Sequence, residues 1–240
     1  MNPALHKETA VAIAYDAERL DIPDINYFDV EYWRGQNALT GAAVGRGNSW
    51  FVNAPFGSVV LRQYLRGGWI ARVSRAHYFF TGIERSRPLR EFNILVSLFE
   101  LGLPVPVPIA ALCRHHGILS TGALITEKIE QTRTLADVLP SGASGPSMSK
   151  ESWAKIGNCI RRFHQAGVWH ADLNARNVLL DSAGQVYLID FDRARFTAGK
   201  KVHGQGNLSR LKRSLRKLWP GTHAEALQPA WEHLMAGYDG

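Results

Sequence analysis

The chain has little sulfur and no long apolar run. Cysteine occurs only at Cys113 and Cys159 in 240 residues, without a C-x-x-C spacing. That excludes a disulfide framework and a cysteine zinc site, and fits buried thiols in a reducing compartment. No stretch approaches the roughly 18 consecutive apolar residues needed to span a bilayer, and residues 1–20 mix Lys7, Glu8, Asp16, Glu18 and Arg19 among their apolar positions. Neither a signal peptide nor a transmembrane helix is expected, so the protein reads as cytoplasmic and globular. Internal repeats are absent, and low complexity is confined to residues 141–149. Acidic residues are missing from one long segment: between Asp192 and Glu225 stand nine Lys/Arg and no carboxylate. Without those nine, the 28 basic residues no longer outnumber the 21 acids, so the net charge of +7 is local. The segment lacks interleaved aromatics and any known nucleic-acid module, so no nucleic-acid partner is expected.

The apolar content, 45% with 10% aromatic, is enough for a substantial core. Before the low-complexity loop the pattern is strand-rich: residues 40–44 and 50–52 flank a glycine-bearing turn, and residues 58–64 read as a buried strand. A helix follows over residues 89–101, with Leu89, Phe92, Leu95, Val96 and Phe99 on one face and Gly102 as its stop. Pro104, Pro106 and Pro108 demand extended chain, and residues 123–126 form a further apolar strand. After the loop, Trp153, Ile156, Ile160 and Phe163 mark a helix over residues 150–166, ended by Gly167. Residues 178–180 and 186–189, joined by Asp181-Ser-Ala-Gly184, read as a hairpin. Residues 207–219 place Leu208, Leu211, Leu215, Leu218 and Trp219 on one side of a helix and Arg210, Lys212, Arg213, Arg216 and Lys217 on the other, with Asn207 as cap and Pro220 as stop.

Chemistry concentrates in His170-Ala-Asp172-Leu-Asn-Ala-Arg-Asn177 and in Asp190-Phe-Asp192, which follows the hairpin. The spacing resembles a kinase catalytic loop and its second metal-binding aspartate. Phosphoryl transfer develops charge, and hard Mg²⁺, which takes oxygen ligands, neutralises it. The Asn177 amide and the Asp190 carboxylate fit that need, and Asp172 fits the base that receives the acceptor's hydroxyl proton. His170 is read as a brace for the loop. Upstream, Gly45 and Gly47 resemble a glycine loop whose bare backbone approaches ATP phosphates. Arg62 stands where kinases carry the strand lysine, with Glu91 on the next helix as its ion-pair partner, and Glu127 falls where a hinge meets adenine. The expected fold is α+β, a bilobal kinase-like arrangement. Residues 1–26 form an N-terminal extension, residues 27–130 a small strand-rich lobe, and residues 131–240 a larger helical lobe.

Arg62 in the lysine position, Leu-Pro-Val-Pro after the first long helix, the 170–177 loop, a DFD in place of DFG, and the segment Tyr78-Phe-Phe-Thr-Gly-Ile-Glu84-Arg-Ser-Arg87 together resemble the lipopolysaccharide kinases. The likeness is greatest to the branch acting on 3-deoxy-D-manno-octulosonic acid (Kdo), and it runs from about residue 27 to residue 218. It implies ATP and Mg²⁺ as cofactors, and transfer to the 4-hydroxyl of Kdo on a lipid A precursor. It also implies a peripheral location on the cytoplasmic side of the bacterial inner membrane. An acceptor carrying carboxylate and phosphates calls for arginine, and Arg176, inside the loop, is the residue placed to bind it. The basic helix at 207–219 suits an anionic membrane surface, a packed helix, or both. Other acceptors of the same fold remain open, a core heptose or another small molecule among them. A pseudokinase scaffold, suggested by Arg62 and Asp192, is countered by the retained Asp172, Asn177 and Asp190.

Overall fold

The first half of the chain folds as a sheet from short apolar runs whose alternate side chains go to opposite faces, and at residues 12–14, 109–113 and 123–125 both faces are buried. The computed structural model describes residues 1–43, 48–64, 86–116, 119–139, 148–197, 202–219 and 221–240. They form two units, Met1–Glu100 with Val107–Lys128, and Leu101–Pro106 with Ile129–Gly240. The strand-rich first unit and helical second unit give the expected α+β, kinase-like architecture.

Unit 1 contains β1 (Pro3–Lys7), β2 (Val11–Asp16), a 3-10 turn at Ile25–Phe28, α1 (Val30–Gly35), β3 (Leu39–Ala42), β4 (Ser49–Ala54), β5 (Gly57–Tyr64), α2 (Arg87–Glu100), β6 (Pro108–His116) and β7 (Leu119–Glu127). The strands join in the order β1-β2-β6-β7-β5-β4-β3, every neighbouring pair antiparallel. Residues 1–26, read from the sequence as an extension, thus contribute two strands to this sheet. Ile13, Val59, Leu61, Leu112 and Ile125 bury one face against Phe28, Val30 and Trp33. Trp33 stacks on Tyr27 at 5.4 Å and donates its indole N–H to the Tyr27 carbonyl at 2.8 Å. On β5, Arg62 alternates with Val59 and Leu61 and so points to the other face, where α2 buries Leu89, Phe92, Leu95 and Val96. Gly102, at φ 66°, supplies the left-handed turn after α2.

Unit 2 contains β8 (Arg133–Thr134), α3 (Leu135–Val138), α4 (Lys150–Gln165), β9 (Val168–Trp169), β10 (Val178–Leu180), β11 (Val186–Leu188), β12 (Arg195–Phe196), α5 (Gln205–Leu218), a 3-10 turn at Gly221–Ala226 and α6 (Leu227–Asp239). Ser149 caps α4 by accepting from the Ser152 N–H at 3.1 Å. Helices α4 and α6 approach backbone to backbone. A Cβ on Gly157 would lie 1.9 Å from the Leu234 carbonyl, and one on Gly237 would lie 2.0 Å from that of Ala154. Both thiols are buried and free. Loss of hydration pushes the Cys159 thiol up to about 12, so it stays protonated and behaves as packing.

Candidate active site

The hairpin sets the spacing of the reactive groups in unit 2. Strand β10 pairs with β11 so that Val178 faces Leu188. The residues just outside that pair, Asn177 and Ile189, are joined by an N–H to carbonyl bond of 3.0 Å from Ile189. The register therefore brings Asn177 beside the start of Asp190-Phe-Asp192. Asp181 closes the turn, accepting from the Ala183 and Gln185 N–H groups at 2.9 and 2.8 Å. Asp190 turns the chain at φ 72°, a conformation uncommon for a non-glycine residue and met most often at functional sites. Asp192 has no such φ, so an ordinary side chain costs nothing where protein kinases carry glycine.

The loop between β9 and β10 is held by its own polar groups. His170 is buried, and one ring nitrogen, Nε2, lies 2.9 Å from the Ile189 carbonyl. The other, Nδ1, accepts the Asp172 N–H at 3.2 Å, which requires the tautomer with its proton on Nε2. Phe191 fills the space below, 4.8 Å from His170 and 5.7 Å from Phe163 between ring centres. Thus His170 braces the loop from both sides, and the Asp172 carboxylate stays on the outside, 60% exposed. Asn177 is fully buried. Its Nδ2 donates to the Asp172 carbonyl at 2.7 Å, while its Oδ1 has no hydrogen-bond partner. A buried acceptor left without a donor costs about 1–3 kcal/mol. An oxygen-seeking cation is one group that would satisfy it, so the donor set fits Mg²⁺. Among the described residues no cluster of three or more His, Cys, Asp or Glu is arranged to hold a metal.

Arg176 is exposed at the loop's surface, its N–H donated to Asn174 Oδ1 at 2.9 Å. In unit 1, Arg62 meets Glu91 at 3.1 Å, and Glu91, only 2% exposed, also bonds the Tyr64 hydroxyl. The Arg62 guanidinium lies 5.0 Å from the Tyr64 ring centre. Glu127 is not gathered with them. It sits opposite Val59 on β5, three register positions from the partner of Arg62. Its N–H goes to the Val107 carbonyl at 2.8 Å, and its carboxylate pairs with Arg19 at 2.9 Å. Gly45 and Gly47 lie outside the described residues.

Three residues of unit 2 tie the loop down without having been foreseen. Asn207 does not cap α5, which starts at Gln205 with no side-chain cap. It is fully buried, with Nδ2 donating to the His170 carbonyl at 2.6 Å and Oδ1 accepting the His170 N–H at 3.0 Å. The same Oδ1 lies 3.0 Å from His164 Nε2, whose Nδ1 lies 2.9 Å from the Tyr238 hydroxyl. Burial pushes the His164 imidazole below its ordinary pKa, which keeps it neutral for this double role. Ser214 accepts the Ala175 N–H at 3.1 Å. The one available signal was position, since Asn207 shares the stripe of Leu211 and Leu215, where a polar residue must find buried partners.

Residues 30–238 match the family model described as the lipopolysaccharide kinase (Kdo/WaaP) family. The chain is also similar to proteins named 3-deoxy-D-manno-octulosonic acid kinase. One, from Stenotrophomonas maltophilia (strain K279a), is 42% identical over 95% of this chain and 89% of its own length. Another, from Xylella fastidiosa (strain M23), is 41% identical over 98% and 91%. A third, from Xanthomonas euvesicatoria pv. vesicatoria (strain 85-10), is 42% identical over 95% and 89%.

Proposed function

The chain belongs to the lipopolysaccharide kinase (Kdo/WaaP) family of ATP-dependent phosphotransferases, and we propose that it moves the γ-phosphate of ATP to the 4-hydroxyl of a Kdo residue on a lipid A precursor. The observation that carries this reading is the Asn177 side chain, whose Nδ2 is committed to the Asp172 backbone and whose buried Oδ1 is left without a donor, on the residue whose carbonyl binds Ile189, the neighbour of Asp190. A scaffold protein has no use for a base beside an unsatisfied metal-type oxygen.

Asp172 receives the acceptor hydroxyl and takes its proton as oxygen bonds to the γ-phosphorus, while the bond from phosphorus to the β,γ-bridging oxygen breaks and ADP leaves. Asn177 and Asp190 would hold Mg²⁺, which when bound would neutralise the charge spread over the transferring phosphoryl. Arg62, fixed by Glu91, takes nucleotide phosphate through its planar fork. His170 keeps Asp172 oriented, so its contribution is positional.

We also assign a peripheral place at the cytoplasmic face of the inner membrane. Among the described residues no helix is long and apolar enough to cross a membrane. Leu208, Leu211 and Leu215 of α5 are buried in unit 2 while Arg210, Arg213, Arg216 and Lys217 are exposed, which leaves a cationic face for an anionic surface. The test offers the purified protein Mg-ATP with three acceptors side by side: Kdo-bearing lipid A precursor, heptosylated core and a generic protein. Phosphate is then located on the product by mass spectrometry and NMR. Phosphate at position 4 of Kdo is the expected result. Transfer to heptose or to protein alone would overturn the assignment.

A further inference from the structure

Helix α5 is fastened to the catalytic loop at two points that lie seven residues apart, Asn207 on His170 and Ser214 on the Ala175 N–H. Residues three and four apart share a helix face, so two residues lie between these anchors on that face, Leu211, which is fully buried, and Arg210, which is exposed and so is the one free to reach along the stretch from His170 to Ala175. The structure agrees. Arg210 Nη1 lies 3.9 Å from Asp172 Oδ1, with the two side chains 45% and 60% exposed. That distance is beyond a hydrogen bond, so the arginine does not occupy the lone pair that a base needs. A cation and a base are thus presented together, both reachable from solvent, with a separation that one small molecule can bridge.

We infer that Arg210 binds the acceptor and reads its carboxylate while Asp172 holds the hydroxyl. The inference rests on the proposed Kdo acceptor and adds to it the group that distinguishes a sugar acid from a neutral sugar. In Kdo the carboxylate hangs from carbon 2 of the ring and the reacting hydroxyl from carbon 4, two ring bonds away, so both anchors fall on one edge of the sugar. A guanidinium pairs with a carboxylate in two parallel bonds, which fixes the ring's orientation as well as its affinity. A heptose carries the hydroxyls without the acid and leaves Arg210 unmatched. Arg176 is exposed on the same loop but has no such approach to the base.

The experiment is steady-state kinetics of the full chain with Mg-ATP and two acceptors, the Kdo-bearing lipid A precursor and the same molecule with its Kdo carboxyl reduced to an alcohol. Arg210→Ala, Arg210→Lys and, as a charge control away from the loop, Lys155→Gln are compared with the parent. Loss of one charged hydrogen-bonded pair corresponds to about a 10- to 100-fold rise in acceptor KM. Arg210→Ala should show that rise with an unchanged KM for ATP, and should no longer discriminate between the two acceptors. Arg210→Lys should recover part of the discrimination, and Lys155→Gln should match the parent. An Arg210→Ala variant that keeps the parental acceptor KM, or that still prefers the acid by the parental factor, overturns the inference and leaves the kinase assignment standing. A parent that does not phosphorylate the Kdo acceptor removes both.

Discussion

Replacing Asn207 by alanine should loosen the catalytic loop more than any other single change outside it. Three bonds end on this side chain, two from the His170 backbone at 2.6 and 3.0 Å and one from His164 at 3.0 Å, and the residue is fully buried. Truncation leaves two N–H donors and one carbonyl without partners in a space water does not readily enter. Each such group costs about 1–3 kcal/mol when unsatisfied. The three share one site and relax together, so a total of about 3–5 kcal/mol is expected rather than the full sum. Against a typical stability of about 5–15 kcal/mol that is a large fraction. It corresponds to a melting point lower by about 6–20 °C for a chain of this size. Turnover should fall as well, since His170 would no longer hold the Asp172 N–H in place. Urea unfolding followed by tryptophan fluorescence and by amide exchange in residues 168–177 measures the first effect, and kcat at saturating ATP the second. An Asn207→Ala protein within 1 kcal/mol of the parent by that measure, with normal loop protection, would refute the reasoning. Asn207→Asp should be no better, because a carboxylate keeps the acceptor and removes the donor that His170 requires.

Asp172→Ala should leave nucleotide affinity near normal and lower kcat by about 10²–10⁴, whereas Asp190→Ala should weaken Mg-ATP binding too. Calorimetric titration with Mg-ATP separates the two, and equal affinities would cancel the division of roles. Arg62→Ala should be severely impaired and less stable, because the buried Glu91 loses its bond to the Arg62 guanidinium, while Arg62→Lys should recover part of the rate. Full activity in the alanine variant would exclude Arg62 from phosphate binding. The His164 imidazole, held below its ordinary 6.5 by burial, is neutral in the folded protein while the unfolded chain takes up a proton. Stability should therefore be full above about pH 6.5 and decline as pH falls below it towards the folded value, and thermal scans from pH 7.5 to 5 should show a shallower decline in His164→Gln. Anionic vesicles should sediment the protein at low salt and release it at high salt, through roughly 1 kcal/mol for each Lys/Arg near the surface. Equal sedimentation after Arg213, Arg216 and Lys217 are changed to glutamine would assign α5 to core packing alone.

Local structure was legible in the sequence, and long-range partnership was not. The spacing of Asp172, Asn177 and Asp190 survives in the fold because a three-residue strand, a turn and another three-residue strand leave the hairpin one register. Helices α2, α4 and α5 followed from apolar periodicity, and Gly102 and Gly167 end theirs with positive φ as read. Residues 1–26, which hold β1 and β2, were read as an extension because the family resemblance begins near residue 27. The pairing of β2 to β6, and of β1 to β2, supplies the reason they are strands. Glu127 was read from its place after an apolar run, yet its carboxylate meets Arg19, more than a hundred residues earlier. Asn207 had the composition of a cap and the position of a core residue, and only the backbone of His170, 37 residues away, decides between them.

The chain of contacts from His170 through Asn207 and His164 ends at the hydroxyl of Tyr238, on the final turn of α6. Gly204 abuts the same pair, where even a methyl group would come within 2.2 Å of the histidine ring. Anyone trimming the polypeptide for crystallisation, or grafting a purification tag directly after α6, is therefore working two side chains away from the catalytic loop. A preparation shortened before Tyr238 could express and bind nucleotide yet transfer phosphate slowly, and its kinetic constants would describe the truncation rather than the enzyme.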